Sequence, residues 1–215
     1  RRAFIASSRT NTWDRGYVQS VGGLCLIHGD KLWFYYSGVR GNPGKLGKGS
    51  RQNGMYDQGS TGIAFLRRDG FASLEASPAG GYLLTRPVKF KGRHLFVNVD
   101  NPKGSLQVEV LDTNNKVIEP FTKENCAAVS ANATLHEIRW AKAKDLSRLA
   151  GKAVKFKFYL THGSLYSFWV APDESGASYG YVAAGGIGFA GYRDTLGRRL
   201  GPRAGETPDT IGREH

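Results

Sequence analysis

The feature that most restricts the fold of this chain is a repeated alternation of apolar and polar residues in short segments. Phe156 and Phe158 alternate with Lys155 and Lys157, and a similar pattern recurs over residues 95–99. Successive side chains of a β-strand point to opposite faces, so these segments are expected to form strands with one buried face. Many short strands separated by turns, with little helix, predict an all-β fold.

The chain is predicted to divide near Gly70. Residues 71–192 carry the regularly spaced strand segments, and we expect them to form an antiparallel β-sandwich of the jelly-roll kind. Residues 1–70 contain fewer strands, and residues 193–215 are rich in arginine and are predicted to be a basic C-terminal tail. The stretch 37–60 is rich in glycine, asparagine and lysine and is predicted to be a surface loop.

Within the first part of the chain, one hairpin is expected. Segments Leu24–His28 and Leu32–Tyr36 have strand character, and they flank Gly29 and Asp30, which have the composition of a tight turn. The segment TGIAFLRRDG predicts a further strand that ends in a turn.

The chain is strongly basic. Among its 215 residues, 30 are Lys or Arg and 18 are Asp or Glu, which gives a formal charge of +12. Such an excess favours acidic partners, including anionic polysaccharides and nucleic acids. The basic residues are scattered, and no helix-turn-helix pattern or zinc-finger spacing occurs, which disfavours a nucleic-acid partner. No apolar run approaches the roughly 20 residues of a spanning helix, so no membrane span is expected.

Residues with catalytic or metal-binding potential are dispersed. The 5 histidines form no His-x-x-x-His pattern, and no Cys-x-x-Cys or calcium-loop spacing occurs, so neither a metal nor another cofactor is predicted. The serines lie in no nucleophile-elbow sequence, and no catalytic residue is assigned. Cys25 and Cys126 lie among apolar or small residues, which leaves two buried free thiols and one disulfide as alternatives.

The clearest candidate binding residues lie before the predicted hairpin, in the segment WDRGYVQ. Trp and Tyr offer flat faces for the apolar side of a sugar ring, and Asp and Arg can hydrogen-bond its hydroxyl or carboxylate groups. A Tyr-Asp pair on the long loop is expected to reach the same rim. The predicted substrate-binding residues are therefore Trp13, Asp14, Arg15, Tyr17, Gln19, Tyr56 and Asp57. The alternative is that Asp14 caps a turn and that Trp13 belongs to the core.

Several longer segments resemble a known family. The stretches WDRGYVQSVGGLCLIHGDKLWFYYSG and TGIAFLRRDGFASLEAS are similar to the last blade elements of five-bladed β-propellers related to glycoside hydrolase family 32 or family 43. The segments GYLLTRPVKFKGRHLFVNVD, LQVEVLD and FWVAPDESGASYGYVAAGG resemble the β-sandwich that follows such propellers in many bacterial proteins. The resemblance covers residues 13–192 and implies that residues 1–70 are terminal propeller blade elements.

The catalytic motifs of family 32, which are Asn-Asp-Pro, Arg-Asp-Pro and Glu-Cys, do not occur in this chain. Arg68 and Asp69 are followed by Gly70 in place of proline. Glu124 and Cys126 are separated by one residue. The resemblance therefore implies the C-terminal portion of a glycoside hydrolase-like protein that acts on a polysaccharide or oligosaccharide, with its catalytic acids outside this chain.

The resemblance also implies partners and a location. A carbohydrate ligand is expected, together with further polypeptide that completes the propeller, supplied by the same parent chain or by a partner subunit. The protein is expected to be secreted or periplasmic. The first residue is an arginine and no signal peptide is visible, so we expect a processed chain or a piece of a longer one. Whether it is an enzyme stays open, the alternative being a non-catalytic carbohydrate-binding or structural protein whose sandwich mediates binding or assembly.

Overall fold

A computed structural model describes residues 3–7, 12–41, 57–182 and 184–200. Within these ranges, the regular elements are β-strands and two short 3-10 helices, Ser147–Leu149 and Gly197–Leu200, which confirms the all-β prediction. The strands are β1 (Tyr17–His28), β2 (Lys31–Val39), β3 (Gly59–Arg67), β4 (Leu74–Ala76), β5 (Gly81–Leu84), β6 (His94–Asp100), β7 (Ser105–Leu111), β8 (Asn132–Glu137), β9 (Lys155–Thr161), β10 (Gly163–Ala171) and β11 (Gly185–Gly186).

The chain folds as two compact units. Unit 1 consists of Arg1–Leu66 and Ala184–Gly186, and unit 2 consists of Arg67–Ala183 and Ile187–His215. The first division lies close to Gly70, where the sequence predicts a boundary. The sequence did not assign the segment Ala184–Gly186 to the first part of the chain, because two glycines carry no strand pattern of their own.

Unit 1 contains a four-stranded sheet with the order β11-β1-β2-β3. Strands β1 and β2 form an antiparallel hairpin in which His28 pairs with Lys31 and Tyr17 pairs with Val39. Gly29 in the connecting turn has a φ of 58°, a left-handed conformation that glycine adopts without a steric penalty. Both strands run further than predicted, so β1 already begins within the segment predicted to bind a saccharide.

Unit 2 contains two sheets, with the orders β4-β10-β6-β8 and β5-β9-β7. Neighbouring strands are antiparallel in each. One hydrophobic core contains residues from both sheets, including Leu95 and Val97 of β6 and Phe156 and Phe158 of β9. Burial alternates along β9, where the lysines and Tyr159 are partly exposed and the phenylalanines are buried. This arrangement confirms the sandwich-like fold predicted from the alternating pattern.

Part of the predicted C-terminal tail is packed against unit 2. Asp194 is buried, and its Oδ2 accepts a hydrogen bond from Arg68 at 3.0 Å. Its Oδ1 accepts one from the backbone amide of Gly197 at 3.4 Å, at the start of the second 3-10 helix. Polar contacts therefore hold the first part of the predicted tail, around Asp194, against the rest of unit 2. Residues 201–215 lie outside the described residues.

Candidate functional site

The segment that precedes β1 and the start of β3 lie at one end of the unit 1 sheet. Strand β1 begins at Tyr17, which pairs with Val39 at the end of β2. Just beyond β2, the amide of Gly41 donates a hydrogen bond to the carbonyl of Asp57 at 3.0 Å. The chain entering β3 therefore stays beside the chain leaving β2. Folding brings Asp57 to the same end of the sheet as Trp13 and Tyr17, from which it is distant in sequence.

Asp14 is buried at the centre of this segment. Its side chain is 0% exposed, and its Oδ2 accepts a hydrogen bond from the Tyr36 hydroxyl at 3.1 Å. The amide of Gly16 donates to the carbonyl of Val39 at 2.9 Å and fastens the turn to β2. Burial and this hydrogen bond agree with the alternative in which Asp14 holds a turn. Direct contact of Asp14 with sugar hydroxyl groups stays a prediction.

Trp13 also contacts Tyr36, but its ring remains accessible to solvent. Its ring stacks on that of Tyr36, with centroids 5.6 Å apart and an interplanar angle of 27°. The residue is 40% exposed, so it is not a core residue as the alternative interpretation had it. We call Trp13, Asp14 and Tyr36 the Trp13 platform. It presents an indole ring whose orientation is set by contacts beneath it.

Two glycines make room for the Trp13 platform. A Cβ at Gly38 would lie 2.5 Å from the Trp13 ring and from the Asp14 Cβ. A Cβ at Gly62 would lie 2.7 Å from the Tyr36 ring and 2.8 Å from the Trp13 ring. Any side chain at these two positions of β2 and β3 would clash with the Trp13 platform, so both positions require glycine. Sequence reasoning missed these glycines and Tyr36, because only the register of the sheet reveals what lies across from them.

The other predicted binding residues differ in accessibility. Arg15 and Tyr17 are partly exposed, Gln19 is exposed on β1, and Asp57 is partly exposed. Tyr56 lies outside the described residues. Tyr17 pairs with Val39 and Gln19 with Ser37, so both point to the face opposite to Tyr36 and the Trp13 ring. The exposed indole ring and Arg15, which lies in the same turn, can bind a ligand that has one apolar face and hydroxyl or carboxylate groups. Acid–base hydrolysis of a glycosidic bond needs two carboxylates facing one cavity, and the buried position of Asp14 does not provide one of them.

The described part of the chain contains neither a cluster of metal ligands nor a disulfide bond. Among the described residues, no group of three or more His, Cys, Asp or Glu side chains is placed to hold a metal ion. Cys25 and Cys126 are free thiols, which resolves the alternatives left open by the sequence. Burial raises the pKa of the Cys126 thiol, and the amide of Val108 donates to its Sγ at 3.2 Å. Cys126 therefore acts as a core residue of unit 2.

An ionic cluster surrounds Glu137 in unit 2. Its Oε1 lies 2.8 Å from Nδ1 of His94, and its Oε2 lies 2.7 Å from Arg139 and 3.3 Å from Arg198. Burial tends to raise the pKa of Glu137, but hydrogen bonds from Arg139 and His94 outweigh that effect and lower it. A carboxylate engaged by two guanidinium groups is a poor proton acceptor. The cluster instead ties β6, β8 and the C-terminal segment together.

The chain was compared with protein-family models, with curated proteins and with solved structures, and none of the three comparisons produced a significant match. Across the residues that the structure describes, no helix is both long enough and apolar enough to cross a membrane.

Proposed function

We propose that this chain is the saccharide-binding C-terminal portion of a glycoside hydrolase-like protein that acts on a polysaccharide or oligosaccharide. The observation that carries the proposal is the accessible ring of Trp13, stacked on Tyr36 at a centroid distance of 5.6 Å. Pyranose and furanose rings have one apolar face of C–H groups, which packs well on an indole ring. Arg15, two residues after Trp13 in the turn before β1, supplies hydrogen-bond donors for hydroxyl or carboxylate groups of the ligand.

Asp14 stabilises the Trp13 platform through its hydrogen bond with Tyr36. Because its carboxylate accepts a hydrogen bond from the Tyr36 hydroxyl, it fixes the ring on which Trp13 stacks. A ligand surface held in one orientation loses less conformational entropy when the ligand binds. Asp14 is therefore a positioning residue, and the ligand contacts belong to Trp13 and its exposed neighbours.

The catalytic acids are proposed to lie outside this chain, on earlier blades of the propeller. This follows from the family resemblance and from the departures at Gly70, which replaces the proline of one motif, and between Glu124 and Cys126. The chain by itself is therefore expected to bind saccharides without hydrolysing them. A secreted or periplasmic location fits a polysaccharide substrate, which lies outside the cytoplasm.

Further polypeptide is proposed to cover one face of the unit 1 sheet. Leu26, Ile63 and Phe65 are 39%, 40% and 41% exposed, and the Phe65 ring lies edge-on to Trp33 at 5.4 Å. Apolar side chains gathered on one sheet face favour a packed neighbour. In the propeller hypothesis, that neighbour is the preceding blade, from the parent chain or from a partner subunit.

A non-catalytic carbohydrate-binding protein is the second candidate function. The observation that favours it is a row of partly exposed tyrosines and lysines on the outside of the unit 2 sandwich, which includes Tyr82 and Tyr159. A binding sandwich of this kind does not need a catalytic propeller. The two candidates differ in whether saccharide binding depends on Trp13 in unit 1.

The test is a binding measurement on the full 215-residue chain. Oligosaccharides of inulin, arabinan and xylan are titrated calorimetrically into the wild type and into Trp13→Ala, Trp13→Phe and Tyr181→Ala. Tyr181 is the matched control because it is an aromatic residue of unit 2 that is 77% exposed. We expect Trp13→Ala to abolish measurable binding of at least one saccharide, Trp13→Phe to retain part of it, and Tyr181→Ala to bind like the wild type.

Two outcomes would overturn the proposal. One is equal affinity of the wild type and Trp13→Ala for every saccharide that binds, with both proteins folded by circular dichroism. The other is release of reducing sugar by the purified chain, since that would require catalytic acids within it.

A further inference from the structure

The outer face of the sheet β5-β9-β7 in unit 2 carries an ordered row of aromatic and charged side chains. The register of the sheet sets Tyr82 opposite Tyr159, Tyr159 opposite Gln107, and Lys157 opposite Glu109. The buried phenylalanines of β9 alternate with these residues, so the row points away from the core. We call it the tyrosine–lysine face, and its members are Tyr82, Gln107, Glu109, Lys123, Lys157 and Tyr159.

Tyr82 is the most accessible ring of this face. It is 67% exposed on β5, and its centroid lies 6.4 Å from that of Tyr159. The Nζ of Lys157 lies 4.7 Å from the centroid of each ring. The ammonium group therefore occupies the space between the two tyrosines, and most of the Tyr82 ring remains open to a ligand.

The charged groups behind Tyr82 are fixed by hydrogen bonds. The Tyr159 hydroxyl donates to Oε1 of Glu109 at 2.5 Å, and the Nζ of Lys157 lies 3.6 Å from the same oxygen. The Nε2 of Gln107 donates to the carbonyl of Lys123 at 3.1 Å and holds that segment against β7. These contacts fix the side-chain conformations of the face in the absence of a ligand. Less conformational entropy is therefore lost when a ligand binds.

Positive charge exceeds negative charge on this face. The Nζ of Lys123 lies 4.5 Å from the Tyr159 centroid, and Lys155 extends the row along β9. Glu109 is the carboxylate within the row, and it already interacts with Lys157. Glu124, next to Lys123 in sequence, accepts hydrogen bonds from its own backbone and from Thr122. The row therefore presents an excess of ammonium groups around an open aromatic ring.

We propose that the tyrosine–lysine face binds acidic saccharides, chains of uronic acid or sulfated sugar units. The apolar face of one sugar ring packs on Tyr82, and the carboxylate or sulfate of the saccharide pairs with the ammonium groups of Lys123 and Lys157. The net charge of +12 adds long-range attraction for a polyanion. This site lies entirely within unit 2 and does not depend on the Trp13 platform.

An acidic saccharide fits this surface better than a nucleic acid does. Single-stranded nucleic acids bind along a basic groove on which successive bases stack, whereas here one open ring, that of Tyr82, faces the ligand. A single-stranded nucleic acid is therefore the competing ligand, and its binding must be distinguished from that of the acidic saccharide.

The experiment measures binding of three probes to the full chain by calorimetry at low and at moderate salt. The probes are oligogalacturonate, a neutral dextran oligosaccharide and a single-stranded oligonucleotide of comparable length. Tyr82→Ala and Lys123→Gln are the test variants. Tyr181→Ala and Lys103→Gln are the matched controls, because Tyr181 is more exposed than Tyr82 and Lys103 lies in an exposed turn.

We expect the wild type to bind oligogalacturonate more tightly than dextran, with an affinity that falls as salt rises. Tyr82→Ala and Lys123→Gln should each weaken this binding by about tenfold or more, which corresponds to 1.4 kcal/mol. The two controls should bind within a factor of two of the wild type. Trp13→Ala should also leave the affinity unchanged, so failure of the proposed function and failure of this inference can be told apart.

Each of the following results would overturn the inference. If oligogalacturonate and dextran bind equally, or if neither binds, charge recognition is absent. If Tyr82→Ala loses no more affinity than Tyr181→Ala, binding occurs elsewhere on the basic surface. If the oligonucleotide binds more tightly than oligogalacturonate and depends on Tyr82, the face is a nucleic-acid site.

Discussion

The hydroxyl of Tyr36 donates a hydrogen bond to Oδ2 of Asp14 at 3.1 Å, across a sequence separation of 22 residues. The bond connects the turn before β1 to the middle of β2, and the ring of Trp13 stacks on the same tyrosine. A buried carboxylate is costly unless hydrogen bonds compensate for the water that it has lost. The orientation of an exposed indole ring therefore depends on a polar contact made beneath it.

Loss of this hydrogen bond should destabilise unit 1. Tyr36→Phe removes the hydroxyl and keeps the ring, so the free energy of unfolding should fall by about 1–3 kcal/mol, the range for a buried hydrogen-bonding group that loses its partner. Urea denaturation followed by tryptophan fluorescence measures the change. Tyr35→Phe, on the opposite face of β2, is the control and should change stability by less than about 0.5 kcal/mol. Equal losses in both variants would show that the contact with Asp14 adds nothing specific.

A methyl group at Gly38 should disrupt the Trp13 platform. The added Cβ would lie 2.5 Å from both Trp13 and Asp14, so the turn before β1 must shift, at a cost of about 1–3 kcal/mol. The matched substitution is Gly22→Ala on β1, where an added Cβ meets nothing within 4 Å. Thermal unfolding of the two variants is the measurement. A Gly38→Ala protein as stable as Gly22→Ala would contradict the tight approach of the turn to β2.

Truncation of a core ring should have a large effect on unit 2. Phe158 is 1% exposed and packs on Phe168 at a centroid distance of 4.8 Å. Phe158→Ala should therefore lower the free energy of unfolding by about 3–5 kcal/mol. Leu84→Ala, at a site 39% exposed, serves as the comparison and should cost much less. Similar losses at the two positions would mean that β9 does not bury its phenylalanines between the two sheets.

Acid should weaken the cluster around Glu137. Hydrogen bonds from Arg139 and His94 lower the pKa of Glu137 below its ordinary value of 4.5 despite the opposing effect of burial. A carboxyl group whose pKa is lower in the folded state stabilises the fold above its unfolded pKa. That stability is lost as the pH falls below about 4.5 and through the folded pKa.

The measurement for Glu137 is the urea midpoint between pH 7 and pH 3. Glu137→Gln should be less stable than the wild type at pH 7, and the difference should shrink as the pH falls, because protonation removes the same charge from the wild type. Glu75→Gln, at an exposed position of β4, is the control. A stability difference that stays constant from pH 7 to pH 3 would contradict the role assigned to the ionised carboxylate.

The strands and the sandwich were predictable because burial imposes a period of two on the sequence. Phe156 and Phe158 alternate with lysines, and the structure buries the phenylalanines and leaves the lysines partly exposed. The packed segment around Asp194 was not predictable in the same way. Its order comes from one buried carboxylate that contacts Arg68 and a backbone amide, and such contacts leave no periodic trace.

In the candidate site too, the sequence indicated some features and the fold determined others. Trp13, Arg15 and Gln19 were predicted from the sequence to bind a saccharide, because aromatic and polar side chains placed together favour such a ligand, and this stays a prediction. Asp14 was predicted to bind the ligand for the same reason, and the structure buries it and pairs it with the Tyr36 hydroxyl. Its burial depends on Tyr36, a partner that the sequence does not reveal.

By itself, the sequence determined the all-β class, the alternating core of unit 2 and the basic charge. The net charge is a sum over all residues, and the strands and their buried faces follow from apolar residues that recur at every second position. The tertiary structure decided which residues meet across strands: Asp14 with Tyr36, and Lys157 with Glu109 and Tyr159. Strand register selects these partners, and a shift of one residue would turn each side chain to the opposite face of its sheet. The accessibility of Trp13 and Tyr82 is therefore a property of the register, which the folded core sets.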